Sequence, residues 1–407
     1  MKVDKSLINA MNKANVLTAI RDAGQIYKAE IARLTSLSIP TVMKIADEFA
    51  ARGLIRDIGK GESSGGKPPQ LLEFVPDRHY VIGVDIGTTN INCIWMDMSA
   101  RIVHQHVVPT QVGESPERVI GRIVDSIRLV IGKAGADASK LLGIGLGMPG
   151  LLDTDNGTVL FSPDFKWEMV ELLPAIRSAF PLPVMMDNVT RAMALGQKWF
   201  GYAKGSFDSF VCINLGHGIG AALYLDGRLY SGGSGSSGEL GHMMIDKDGP
   251  LCVCGNVGCL EALASGNAIA NQALRVVAAG RRTSLAELAR TGPLEAKDVF
   301  AAAAARDDVA MEIVGQAAEH IGTAIAHVVN LLDPEAIILE GGLSRAGEPF
   351  IEDIRRAAAR RQMKYAGRKT RIAVSGLGED SAAIGAATLL LKRFFEAGGD
   401  AAALEQR

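Results

Sequence analysis

No stretch of the chain is both long and apolar enough to cross a bilayer, and its first residues lack the apolar core of a signal peptide. Membrane residence is not expected, and the expected compartment is the cytoplasm. Cysteine is scarce, five in 407 residues, which excludes a disulfide framework. Charge of one sign is also lacking. The net charge is −2, so bulk charge does not mark the chain as a polyanion binder. What is present is ordinary for a globular protein, 48% apolar and 22% charged residues, and the length suits two or three domains.

Charge is nonetheless uneven. In residues 1–70, eleven Lys and Arg stand against seven Asp and Glu. The same region reads as short helices. Leu7–Met11 and Val16–Ala23 carry helical apolar spacing with Gly24 as a stop, and Ala29–Leu34 forms a second helix before the turn "TSLS". In "SIPTVMKIADEFAARG", Ser38 is a natural N-cap, Pro40 sits in the first turn and Gly53 closes the helix. Ile39, Val42, Ile45, Ala46 and Phe49 share one face; Thr41, Lys44 and Asp47 share the other. Two helices across a tight turn, the second presenting Ser38, Pro40, Thr41 and Lys44 near its start, fit a helix-turn-helix entering a major groove. A strand, a Gly/Ser-rich turn with Lys60 and Lys67, and a second strand follow, as a wing able to touch phosphates. The plainer alternative is a helical bundle with a flexible linker.

From Tyr80 the texture changes to strands. "YVIGVDIGTTNINCIWMD" and "FVCINLGHGIGAALYLD" align with Asp85 on Asn214, Gly87 on Gly216 and Asp97 on Asp226, all at one offset of 129 residues. A repeat of that length means two lobes of similar build, not a solenoid. Gly at such turns lets backbone N–H groups approach a phosphate. A third Gly turn, "PEAIILEGGLS", ends a buried strand after a helix at about 309–331.

"GHMMIDKDGPLCVCGNVGCLE" places nine residues between His242 and Cys252, one between Cys252 and Cys254, and four between Cys254 and Cys259. One His and three Cys form a closed tetrahedral Zn²⁺ set of the structural kind, with no position left open for catalysis. Reduced cysteines without metal are the alternative.

With these motifs in place, the chain resembles the ROK family over essentially its full length, the head matching the family's repressor branch (xylose, N-acetylglucosamine and Mlc types). "DIGTT" resembles the first phosphate loop, "NLGHGIG" the second and "EGGLS" the adenosine segment. The resemblance implies an α/β fold: an N-terminal winged helix-turn-helix, then a two-lobed actin-like body of the RNase H and sugar-kinase type, with a structural zinc module. It also implies sugar-hydroxyl ligands at Asn188, Glu239, His242 and Glu261, with His242 serving metal and sugar through different ring nitrogens. In the family's kinases the segment matching 187–189 reads Glu-Asn-Asp, and its last residue is the general base. Here Val189 stands there, and valine accepts no proton. Asp187, two residues earlier on a strand end, is expected to point elsewhere. Thr88 and His217 also depart from the phosphate loops, and Asp85, a Mg²⁺-placing residue in the kinases, reads as a relic or a turn cap.

The expectation is a non-enzymatic, sugar-responsive transcriptional repressor, holding Zn²⁺ but not ATP. Its partners would be double-stranded operator DNA and a monosaccharide or sugar derivative, in a homodimer or dimer of dimers. The expected domains are 1–75 (head), 76–200 (first lobe) and 201–407 (second lobe), with the C-terminal helix packing back on the first lobe. A sugar kinase with an accessory head and a regulator controlled by a protein partner are the rivals. The segment 161–170 is expected to shape specificity, with Asp164 where the family often has Asn and Trp167 either stacking on a sugar or buried in the core.

Overall fold

The computed structural model describes residues 5–60 and 70–404. The head runs α1 (Lys5–Ala23), β1 (Gln25–Tyr27), α2 (Lys28–Thr35), α3 (Ile39–Ala51), β2 (Ile55–Lys60) and β3 (Gln70–Phe74). The polar Asn12–Asn15 stretch does not break α1, which is one continuous helix. Lys13 in that stretch pairs with Glu48 of α3 at 2.5 Å. Ser36, in the left-handed region, turns the chain between α2 and α3. On α3, Val42, Ile45, Ala46 and Phe49 are buried, but Ile39 is half exposed because the first turn projects beyond the core. The strands form an antiparallel sheet in the order β1-β3-β2, and β2–β3 is the hairpin in the wing position. Three-residue β1 has too little pattern to announce itself in the sequence.

The first lobe holds β4 (Tyr80–Ile86), β5 (Asn90–Asp97), β6 (Ile102–Pro109), α4 (Pro116–Ala134), β7 (Leu141–Met148), the small strands β8 (Leu151–Asp153), β9 (Thr158–Ser162) and β10 (Trp167–Glu171), α5 (Leu172–Ala179), β11 (Val184–Asn188) and α6 (Val189–Phe200). The second lobe holds β12 (Phe210–Leu215), β13 (Ile219–Leu225), β14 (Arg228–Tyr230), α7 (Leu260–Ala264), α8 (Gly266–Ala278), α9 (Leu285–Thr291), α10 (Ala296–Ala304), α11 (Asp308–Leu332), β15 (Ala336–Glu340), α12 (Glu348–Arg361), β16 (Arg371–Val374) and α13 (Ser381–Glu396).

The duplication read from the glycine hairpins is visible in the two main sheets. One is ordered β6-β5-β4-β7-β11, the other β14-β13-β12-β15-β16. Each is a three-stranded antiparallel meander continued by two parallel strands. The strand ends β4, β12 and β15 therefore converge on one cleft, as ligand sites do at the carboxyl ends of open sheets.

α13 returns from the second lobe onto β4 and β7. A Cβ on Gly83 would overlap the Ala383 carbonyl, so the helix lies backbone to backbone on the sheet. It meets α6 equally closely, where Gly385 faces the Ala192 carbonyl. Its far end, Phe394 and Phe395, packs into the head core beside Val16, Leu17 and Phe74. Head and first lobe thus share one apolar core. The second lobe has its own core around α11. Among the described residues no helix is long and apolar enough to cross a membrane.

Candidate functional site

The cleft between the lobes encloses about 440 Å³, enough for a small ligand. Its floor is set by β11 and the start of α6. Asn188 is the N-cap of α6: its side-chain carbonyl accepts from the Thr190 N–H at 2.9 Å. Its amide donates to the Gly150 carbonyl at 3.0 Å. One amide hydrogen and one lone pair remain for a ligand. Val189 follows at the first helical position, lines the cleft and is nearly buried. Asp187 also borders the cleft, but it is engaged. Its carboxylate accepts from the Asn188 N–H at 2.7 Å and lies 3.0 Å from Arg191 Nε. Burial pushes its pKa up, and Arg191 partly opposes that.

Glu239, His242 and Glu261 meet on the opposite wall. Glu261, at the start of α7, accepts from the Ile219 N–H at 2.8 Å through Oε2, leaving its other oxygen free. This carboxylate is therefore tied to the second glycine loop as well as to the cleft. Burial raises its pKa, and the Ile219 N–H partly offsets that. Asp164 joins the group from the β9–β10 turn. Burial raises its pKa too, against the pull of His217 and His242. Trp167 resolves to the core reading. It is 2% exposed and packs edge-on against Phe165 at 5.1 Å.

The metal candidates come together. One ligand atom from each of His242, Cys252, Cys254 and Cys259 lies within 4.8 Å of the others. Cys254 and Cys259 Sγ are 3.7 Å apart, and Cys252 Sγ is 3.6 Å from His242 Nδ1. A tetrahedron with Zn–S bonds of about 2.3 Å has edges of about 3.8 Å, so this cluster can hold a zinc ion. Nδ1 faces the thiols, whereas Nε2 faces Glu239 Oε2 at 3.9 Å.

On the side of the cleft lined by the glycine loops, the Asp85 carboxylate makes no hydrogen bond among the described residues, so of the two readings it is not the turn cap. Burial, and then Asp380, raise its pKa to about 7. Sequence reasoning also missed a bridge. His217 Nε2 lies 2.8 Å from Thr89 Oγ1, and its Nδ1 lies 3.2 Å from Asn267 Oδ1. The side chain of the second glycine loop thereby fastens to the first across the cleft. Behind it, buried Glu340 accepts from Gln197 Nε2 at 2.6 Å and Ser381 Oγ at 2.8 Å, joining β15, α6 and α13.

In the head, Ser38 caps α3 by accepting from the Thr41 N–H at 3.3 Å, and its hydroxyl meets Thr41 Oγ1 at 2.8 Å. Pro40 and Lys44 are exposed, and Lys44 has no ion-pair partner among the described residues. Lys60 ends β2, and Lys67 lies outside the described residues. Another contact was invisible in sequence. Arg21 of α1 stacks on Trp199, with Cζ 4.0 Å from the ring centroid, and on Phe395 at 4.8 Å. Its Nη1 is buried without a partner. The helix that begins at Asn188 in the cleft therefore ends under the head.

Residues 81–393 match the model of the ROK family. A putative xylose repressor from Caldicellulosiruptor sp. (strain Rt8B.4) is 32% identical, over 95% of this chain and 96% of its own. A solved ROK family transcriptional regulator, a homolog of E. coli MLC protein, superposes with a TM-score of 0.82 at 28% identity, covering 97% of this chain and 98% of that one. A Streptomyces griseus ROK glucokinase, solved with glucose and AMPPNP, matches at 30% identity and TM-score 0.67, over 77% of this chain and 99% of its own. The chain belongs to the ROK family, and it matches that family's transcriptional regulators along its full length, head included.

Proposed function

We propose that the protein is a DNA-binding repressor whose hold on its operator is set by a sugar bound in the cleft, and that it does not phosphorylate that sugar. The observation that carries this reading is α6. It opens at Asn188, beside the sugar-hydroxyl candidates, and closes at Trp199, against Arg21 of the head. A ligand that changes lobe closure can move α6, and a shift in α6 reaches the head through a packed contact. Such coupling requires different sugar affinities in the two states. Similarity to full-length repressors supports the DNA half of the reading.

The cleft chemistry favours an uncharged ligand. Asp164, Asp187, Glu239 and Glu261 border it, against two arginines. Arg191 is committed to Asp187 and to Ser231 Oγ at 2.8 Å, and Arg345 to the Gly341 carbonyl at 3.2 Å and to Glu379 at 3.7 Å. A phosphosugar would meet repulsion there, whereas hydroxyls find acceptors. Val189 offers no base, and the His217–Thr89 bridge occupies the approach to the phosphate loops. Both observations support binding without phosphoryl transfer.

In this reading His242, Cys252, Cys254 and Cys259 hold a structural Zn²⁺. Bound there, the ion supplies folding free energy and fixes the ring of His242, leaving Nε2 for a sugar hydroxyl. Ser38, Pro40, Thr41, Lys44, Lys60 and Lys67 face the operator, and a dimer spans its two half-sites. The segments 1–75, 76–200 and 201–407 serve as head and two lobes.

The test is a thermal-shift screen of monosaccharides and their phosphates, followed by ADP-release assays with the best ligand. A neutral sugar should raise the melting temperature and weaken binding to a duplex selected in vitro from random DNA. ADP release well above the ATP-only blank would restore the kinase reading.

A further inference from the structure

We infer that the loop joining α12 to β16 is a second DNA-contact surface, gripping backbone phosphates beside the stretch read by the head. The inference rests on the DNA-binding reading above. Residues 355–371 hold eight Lys and Arg and no Asp or Glu, in a chain whose net charge is −2. The helical cations are largely engaged. Arg355 pairs with Glu348 and Glu352, Arg356 with Asp353, and Arg360 and Arg361 with Glu319. Lys364, Arg368, Lys369 and Arg371 are exposed and have no carboxylate partner among the described residues.

The loop is built, not slack. The Met363 N–H donates to Asn330 Oδ1 at 2.8 Å, the Gly367 N–H to Asp333 Oδ1 at 3.2 Å, and Thr370 Oγ1 to the Pro334 carbonyl at 2.6 Å. These bonds fasten it to the end of α11 and the approach to β15. At its tip Tyr365 is 62% exposed and holds φ at 83°, a conformation costly for a residue with a Cβ. Arg368 lies 4.1 Å from its ring centroid and Lys364 Nζ 5.2 Å. An exposed strained aromatic flanked by unpaired cations contributes nothing to a core. The arrangement spaces positive charge on a fixed platform, which suits a regular polyanion.

The location favours DNA over an acidic protein. Arg371, where the loop enters β16, lies 5.7 Å from the Phe207 ring. Phe207 stacks on Tyr202 at 5.7 Å, in the turn that follows α6. Trp199, in the last turn of α6, is where Arg21 of the head rests. Arg371 at the end of the loop and Arg21 of the head thus both lie by the C-terminal end of α6, and on this proposal DNA held by the head runs past the loop. The loop offers ammonium and guanidinium groups rather than a helix or ribbon that could enter a groove. It is expected to position the duplex without reading sequence.

The experiment uses the full chain and duplexes selected by it from random DNA, one trimmed to the selected motif and one extended by two helical turns on each side. Affinity is measured by fluorescence anisotropy across a salt series. Lys364→Gln/Arg368→Gln/Lys369→Gln should lower the salt slope on the extended duplex by about 2 to 3, at about 0.9 for each phosphate no longer neutralised. On the trimmed duplex it should match the parent protein. Lys364→Gln alone should lower the slope by about 1. The melting temperature should not move, since these side chains are exposed. Thr41→Ala/Lys44→Ala serves as the head control. If it weakens binding to both duplexes while the loop variant leaves both slopes unchanged, the loop inference fails and the head reading stands. Such a loop would then suit an acidic protein surface. If neither variant changes binding, both readings fail.

Discussion

Glu261 shows how one carboxylate can act in two places. Oε2 is held by the Ile219 N–H, and the other oxygen faces the cleft. Glu261→Ala should weaken sugar binding about 10- to 100-fold, the scale of one charge-assisted hydrogen bond. Calorimetric titration with the best ligand of the thermal screen would show this, and operator affinity without sugar should be unchanged. Glu340 is a different case, a carboxyl 1% exposed whose pKa burial raises to about 7. Below about pH 4.5 it is protonated in folded and unfolded chains alike. Between there and about 7 the unfolded chain releases the proton and the folded chain keeps it. Its contribution to stability therefore falls through that window and levels off above it. Glu340→Gln keeps an acceptor for Gln197 and Ser381. It should gain stability on the parent between pH 5 and pH 8, on the order of 1–3 kcal/mol. Urea unfolding at the two pH values checks this, and an equal difference at both would remove the buried-proton account.

At the scale of elements, α6 and the His/Cys loop carry the predictions. Arg21→Ala removes the stacked guanidinium from Trp199 and Phe395 without touching the cleft or α3. Sugar affinity and sugar-free operator affinity should both stay within a few-fold of the parent. The factor by which sugar changes operator affinity should collapse toward one, because coupling is a free energy separate from either binding step. Measuring the three constants in one binding cycle decides it, and an intact coupling factor would move the signal path elsewhere. Cys254→Ser should lose zinc by elemental analysis and lower stability, since a structural metal contributes to folding. Metal-free parent protein with unchanged stability would end that proposal.

These elements are unequally legible in the sequence. The helix after Ser38 is readable because cap, Pro40 and apolar period agree, and the four metal candidates because their spacing is local. Arg21 is not, because Trp199 and Phe395 lie far along the chain and no periodicity links them. The Thr89–His217 bridge is hidden for the same reason. It spans 128 residues and exists only once the two hairpins face each other. Ile39 is misplaced by its spacing because helical period alone does not say where a core ends.

For the whole molecule, the shared core makes the head inseparable from the first lobe. Phe394, Phe395 and Leu404 pack with Val16, Ile20, Phe49 and Leu54 in one cluster, whereas the second lobe has its own. Calorimetry should show head and first lobe unfolding in one transition, with zinc chelation lowering only the transition that belongs to the second lobe. A separate early transition of the head would contradict the continuous core. The two-lobed plan itself is visible in the constant offset of the glycine hairpins, because a duplicated backbone leaves its turns in step.

Val189 has a consequence for what kind of information such a protein could report. A kinase consumes the molecule it detects, so its occupancy follows the rate of supply and the level of ATP. On the function proposed above, a cleft with Val189 at that position would return its ligand unchanged. Its occupancy would then depend only on how much free sugar surrounds it, and would relax when that amount falls. The switch would work as an equilibrium gauge of concentration, blind to flux and to the energy state of the cell.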